Sequence, residues 1–346
     1  MKPISEIDTN FVVDSKICRD DLRFYDVRRA PFRLYGVTYA NGRFRRMPEA
    51  VARTVSQGVF ELHTFTSGGR VRFRTDSPYV AIYTKMPIIG RMPHCALTGS
   101  SGVDLYVADQ YQATFTPPFD MKDGYESLVE LHGREMREIT VHMPLYSEVS
   151  ELSIGLAADA TVEAPTPYRI EQPVVFYGSS ITQGGCASRP GTSYDAMACR
   201  RLNINYHNLG FSGNARGEDA MADYVRTLPM SAFVYDYDHN APTVEHLRAT
   251  HERMFRTVRE ANPTLPILIL QRPVYRQSAE EAERLAVLTA TYEHARAAGD
   301  TNVYLITGRE LMALAENDGT VDGCHPTDLG FASMAKAVGD RLATLL

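Results

Sequence analysis

The stretch "VVFYGSSITQGG", residues 174–185, decides how the second half of the chain folds. Four apolar residues run into Gly178, two serines and then a pair of glycines. An unbroken apolar run of this length suits a strand buried on both faces, as in a parallel sheet. Its end on Ser179 and Ser180 has two readings. The hydroxyls can cap the helix that follows, or one can be a nucleophile held at the strand's mouth.

Working outward, the apolar runs "SAFVYDY", "PILILQ" and "VYLIT" repeat the pattern and alternate with helical stretches near 192–202, 215–227, 243–261, 279–298 and 327–345. In "TVEHLRATHERMFRTVREANP" a helix starts at Thr243 and stops before Pro263, with Leu247, Met254, Phe255 and Val258 as its apolar stripe. Strand and helix in alternation predict an α/β unit whose parallel sheet is covered on both faces. Such sheets place their chemistry beyond the carboxyl ends of the strands, where Ser179, Ser180 and "DYDHN" fall.

From about 20 to 160 the pattern differs. "GVFELHTFTSGGRVRFRTDSPYVAIYTKM" and "REITVHMPLYSEVSELSIGLA" alternate apolar and polar residues between Gly and Pro breaks, and Ile139, Val141 and Met143 share a face. This predicts an antiparallel sandwich. Prolines 165, 167 and 173 then suggest a linker or a stiff edge connection, dividing the chain into 1–168 and 169–346. At 346 residues two domains are the default.

Composition narrows the function. With 44% hydrophobic and 23% charged residues the chain is an ordinary globular sequence. A net charge of -6 gives no footprint for nucleic acid, and the arginines of "GRFRRM" read as a solvated face. No window approaches the roughly 20 apolar residues of a membrane span, and the acidic start is no secretion signal. Five cysteines (18, 95, 186, 199 and 324) without CxxC spacing suit reduced thiols in a cytoplasmic protein, rather than disulfides or a zinc site. Oligomeric state is not legible.

A serine hydroxyl becomes a nucleophile only beside a base that a carboxylate orients. Among ten histidines, His325 in "DGCHPTDLG" has Asp322 three residues before it, although both can equally cap the last helix. Donors for an oxyanion can come from the turn "NLGFSGNA" (208–215), through Gly213, and from Asn240 in "DYDHNAP" (236–242). A metal site on Asp236, Asp238, His239, His246 and His251 is the rival reading, but His246 and His251 are five apart and do not share a helix face. Arg272 and Tyr275, in "QRPVYR", fall at the same sheet edge and are candidate substrate contacts.

Ser, Gly, Asn and Asp-x-x-His in this order resemble the four blocks of the SGNH, or GDSL-type, hydrolases over roughly 172–346. "GSSIT" stands where the family has Gly-Asp-Ser-Leu/Ile-Thr, so the resemblance puts the nucleophile on Ser180, with Ser179 replacing the aspartate. "NLGFSG" puts the oxyanion glycine at Gly213, "DYDHNAP" keeps only Asn240 of the third block, and "DGCHP" supplies Asp322 and His325. "SGVDLYV" (101–107) is similar to the Gly-x-Asp-Leu-Tyr motif of a sandwich domain that accompanies some members. The resemblance implies a flavodoxin-like three-layer sandwich preceded by an all-β, jelly-roll-like domain. It also implies a Ser180-His325-Asp322 triad with an oxyanion hole from Ser180, Gly213 and Asn240, and neither metal nor cofactor. The expected substrate is a small-molecule ester, foremost an acetylated sugar or polyol. An acyltransferase of the same fold is the alternative, and a non-catalytic carbohydrate-binding protein a more remote one.

Overall fold

Val174, Val175, Phe176 and Tyr177 are fully buried because the Ile170–Gly178 strand is the interior of a sheet with both faces covered. The computed structural model describes residues 2, 4–8, 12–13 and 16–346. In it this strand pairs in parallel with Ile204–Gly210 on one side and Ala232–Asp236 on the other. Ile267–Leu270 and Val303–Ile306 complete a five-stranded parallel sheet. Numbered along the chain, the spatial order is 2-1-3-4-5, the flavodoxin-like arrangement. Pro173, which has no N–H to give a ladder, sits where the register slips between Ile170 and Val174.

Period-two alternation sorts the core. Val174 and Phe176 face the layer of Tyr194–Leu202 and Asp328–Ala343, packing with Cys199, Phe331, Met334 and Val338. Val175 and Tyr177 face the layer of Asp219–Val225, Val244–Ala261 and Ala279–Ala297, with Leu247, Met254, Val258 and Leu288. All five expected helices are present, the second shorter than its pattern, since it begins only at Asp219.

The first half forms two large antiparallel sheets, beside the small hairpin of Thr38–Ala40 with Arg43–Arg45. One has the order Leu22–Asp26, Glu151–Ala157, Tyr79–Lys85, Gly124–Glu130. The other runs Val162–Glu163, Arg70–Thr75, Arg137–His142, Val103–Val107, Gln110–Phe115, with Arg33–Tyr35 also on Arg70–Thr75. Between them lie Val71, Phe73, Ile82, Leu105, Phe115, Ile139, Val141 and Ile154. Part of the proline-rich stretch thus pairs back into the sandwich. No helix among the described residues is long and apolar enough to cross a membrane.

Two features depart from the sequence reading. Glu49–Val55 and Gln57–Leu62 are helices, and Ala52 and Val59 are buried in the core of the α/β half. Of the "GRFRRM" arginines only Arg43 is on a solvated face, while Arg45 and Arg46 are buried. Arg46 is 1% exposed, with its guanidinium on the carbonyls of Leu62, Phe65 and Gly210 and over the Phe211 ring. Burial pushes its pKa down to about 9. A planar fork with five donors can satisfy several carbonyls at one point, which a solvated arginine would not do.

Candidate active site

Ser180 opens the short helix Ser180–Gln183 directly after the central strand. Ser179 caps that helix, its hydroxyl accepting from the Ile181 amide at 3.1 Å, the job an aspartate at this position would do. Gly184, with φ of 95°, ends the helix in the left-handed region that glycine tolerates. Behind the turn, the buried Asp236 accepts from Thr182 Oγ1 at 2.6 Å and from the Ser179 amide and Tyr194 hydroxyl at 3.2 Å each. Its removal from water pushes its pKa up to about 7.

Ser180, His325 and Asp322 form one hydrogen-bonded line. Ser180 Oγ lies 2.9 Å from His325 Nε2, and His325 Nδ1 lies 2.8 Å from Asp322 Oδ2. The other oxygen of Asp322 accepts from the amides of His325 at 2.7 Å and Cys324 at 2.9 Å. Partial burial opposes ionisation of Asp322, but these hydrogen bonds from His325 and Cys324 outweigh it and hold the carboxyl well below its ordinary value. The spacing of three, which in sequence suits an orienting carboxylate and a helix cap equally, is here a local loop in which Asp322 holds His325 Nδ1.

The other sequence candidates are tied to the same place. Phe211 N donates to Gly178 O at 2.8 Å and Ser212 N to Gln183 Oε1 at 2.9 Å, which fixes the Gly213 turn against the Ser180 helix. Gly213 has φ of 68° with open space where a Cβ would be. Asn240 Nδ2 donates to Phe211 O at 3.2 Å, bringing the third loop to that turn. Among the described residues, the Ser180 and Gly213 amides donate to no protein acceptor.

Arg272 is engaged by the protein itself. Its guanidinium bonds Glu281 at 2.8 Å and the Gly323 carbonyl at 3.0 Å, and its amide donates to Asp238. It therefore braces the loop that carries His325. Tyr275 lies under the Arg309 guanidinium, 5.2 Å from ring centre to cation. The five residues of the rival metal reading do not converge. Asp236 bonds the Ser179–Ser180 turn, Asp238 the Arg272 and His239 amides, His246 the Arg216 carbonyl and His251 the Thr291 hydroxyl. His239 instead sits 3.0 Å from Cys324 Sγ, its pKa lowered to about 4 by burial and by Arg272 and Arg284.

Several residues at the site were not singled out from sequence. Tyr146, from the first half, donates to the Ser180 carbonyl at 3.1 Å, and Ser67 to the Gln183 carbonyl at 2.7 Å. Arg284 bonds the carbonyls of Asp238 and Ala241 and so fixes the Asn240 loop. Asp104 of "SGVDLYV" is fully buried and accepts from Thr114 Oγ1 and the Gly191 amide at 2.7 Å each, and from Arg189 at 3.0 Å. Tyr106 accepts from Arg189 at 2.5 Å. The motif thus clamps the Arg189–Gly191 loop, which follows the Ser180 helix, to the sandwich. The resemblance of "SGVDLYV" to the Gly-x-Asp-Leu-Tyr motif was its advance signal, while the partners of Asp104 lie in distant segments.

Comparison with known proteins agrees with this architecture. Residues 22–162 match the family described as the N-terminus of esterases of the SGNH-hydrolase type. A Bacteroides ovatus protein described as a GDSL-like lipase is 27% identical, with 94% of this chain and 98% of that one covered and a TM-score of 0.84. A salicylyl-acyltransferase from a tetracycline biosynthetic pathway has the same fold at 20% identity, 95% and 98% coverage and a TM-score of 0.77. A family two carbohydrate esterase from Clostridium thermocellum, solved with cellohexaose, shares it at 16% identity, 81% and 93% coverage and a TM-score of 0.58. No curated protein matches by sequence. Residues 171–343, half of the chain, match the family model itself, and the chain belongs to the GDSL-like lipase/acylhydrolase family.

Proposed function

We propose that the chain is a serine esterase that removes a small acyl group, acetyl foremost, from a carbohydrate or other polyol ester. The observation that carries this is the line from Ser180 Oγ through His325 to Asp322, at 2.9 and 2.8 Å. With Asp322 ionised, His325 keeps its proton on Nδ1 and offers Nε2 as a base. Nε2 takes the hydroxyl proton as Ser180 Oγ attacks the ester carbonyl, and Asp322 steadies the imidazolium. The oxyanion is received by the Ser180 and Gly213 amides and the Asn240 side chain, each donor worth about 2.7–4 kcal/mol where such donors have been removed. His325 then protonates the leaving alcohol, and a water activated by Nε2 releases the acid from Ser180.

The sugar part of this reading draws on the relatives. Besides the cellohexaose complex, an acetyl xylan esterase from Butyrivibrio proteoclasticus covers 93% of this chain at a TM-score of 0.60. The acyltransferase relative favours a second reading, in which another alcohol replaces water at the deacylation step. Release of p-nitrophenol from acetate, butyrate and octanoate esters separates the outcomes. Steady turnover with acetate preferred supports the esterase. A burst of one equivalent without turnover supports the transferase, and neither burst nor turnover by folded protein overturns both.

A further inference from the structure

Beside the proposed catalytic line, residues 94–95 of the first half meet Cys186 of the second. Cys95 Sγ and Cys186 Sγ are 3.2 Å apart, and a ring nitrogen of His94 lies within 4.8 Å of both sulfurs. His94 also lies within 4.8 Å of ligand atoms of Asp322 and His325, its ring centroid 5.5 Å from that of His325. Cys186 has φ of 74°, a left-handed conformation unfavourable for a residue with a Cβ. That backbone holds Cys186 where its thiol meets Cys95. We propose that His94, Cys95 and Cys186 form a binding site for a thiophilic divalent cation of the zinc class, at the lip of the active site and bridging the two halves of the chain.

The chemistry fits the ligand set. Two thiolates and one imidazole are soft and borderline donors that favour zinc over magnesium or calcium. Bonds of about 2.3 Å to sulfur in a tetrahedron require the two sulfurs to stand about 3.8 Å apart, so they must open by about 0.6 Å. Both cysteines are half-buried and His94 is exposed, so side-chain rotation suffices and a cation can enter from solvent. Binding displaces two thiol protons to the buffer and leaves a fourth position for water. A third protein ligand with the geometry of a histidine has no role in a disulfide. Its presence is why a cation is favoured over simple pairing of Cys95 with Cys186. The cation would stand against His325 and oppose the imidazolium that ester cleavage needs. This consequence, unlike the binding itself, rests on the proposed function.

The test is a cobalt titration of the full chain, reduced and then freed of reductant under anaerobic conditions. One cobalt per chain is expected, with thiolate-to-cobalt charge-transfer absorption that stoichiometric zinc abolishes. In Cys95→Ser/Cys186→Ser the band is lost, and in His94→Ala affinity falls about tenfold or more. Zinc is expected to slow p-nitrophenyl acetate cleavage at least about tenfold in the wild type and not in the double variant. Absence of the band in the wild type, its persistence in the double variant, or recovery of Cys95 and Cys186 as a disulfide that survives reduction would each overturn the proposal. Cobalt binding with no esterase activity would leave the cation site standing and remove the esterase.

Discussion

Replacing Asp322 by asparagine tests the orienting carboxylate with almost no change of shape. One oxygen of Asp322 accepts from two backbone amides, at 2.7 and 2.9 Å. Those amides can only donate, so the asparagine oxygen must stay on them. Its NH2 group then faces His325 Nδ1, which the aspartate meets at 2.8 Å. A donor there forces Nδ1 to accept and moves the ring proton to Nε2, which then points a hydrogen at Ser180 Oγ. The base is present but holds the wrong tautomer. The expected fall in kcat/KM on p-nitrophenyl acetate is about 10⁴, or about 5.4 kcal/mol. The melting temperature should barely move, since both amide bonds survive and the site is partly exposed. A variant within tenfold of wild type at neutral pH, with unchanged melting, would show that the carboxylate does not set the tautomer and would refute the reasoning.

Three further outcomes follow from the geometry. Asp236 has its folded pKa raised to about 7 against an unfolded value near 3.9, so the native state holds the proton more tightly and stability declines as pH rises from about 4 to about 7. Asp236→Asn should flatten that decline, and melting curves of variant and wild type that stay parallel across this window would contradict it. Asp104→Ala removes the buried partner of Arg189 and of the Gly191 amide, and should cost about 3–5 kcal/mol in guanidinium unfolding. Gly185→Ala would place a Cβ 3.3 Å from His325 Cδ2, 2.9 Å from the Tyr146 hydroxyl and 3.0 Å from the Ser180 carbonyl. It should lower kcat about tenfold or more, because the Tyr146 hydroxyl must give way at the Ser180 carbonyl and the His325 ring is crowded beside Ser180 Oγ.

The α/β half was legible because its signals are local. Strands such as "VVFY" and "PILIL" are buried on both faces and so carry unbroken apolar runs, and Thr243 and Ser278 cap their helices as their side chains suggest. The His325 loop was legible for the same reason, since Asp322 is three residues away. What was not legible depends on contacts between distant segments. Helical segments 49–55 and 57–62 are stabilised by the core of the other half, which nothing in their own text reveals. Arg46 and Arg272 read as surface or substrate-facing, yet each is held by carbonyls or a carboxylate that folding supplies. Cys95 and Cys186, scattered in sequence, meet only because the sandwich docks on the loop after the Ser180 helix.

The central claim is that Ser180 carries the acyl group, and trapping that intermediate tests it most directly. The protein is mixed with p-nitrophenyl acetate, quenched in acid within the burst, digested and read by mass spectrometry. One acetyl group is expected on the peptide containing Ser180, present in Ser179→Ala and absent in Ser180→Ala. An acetyl group found on another residue, or hydrolysis undiminished in folded Ser180→Ala, would contradict it.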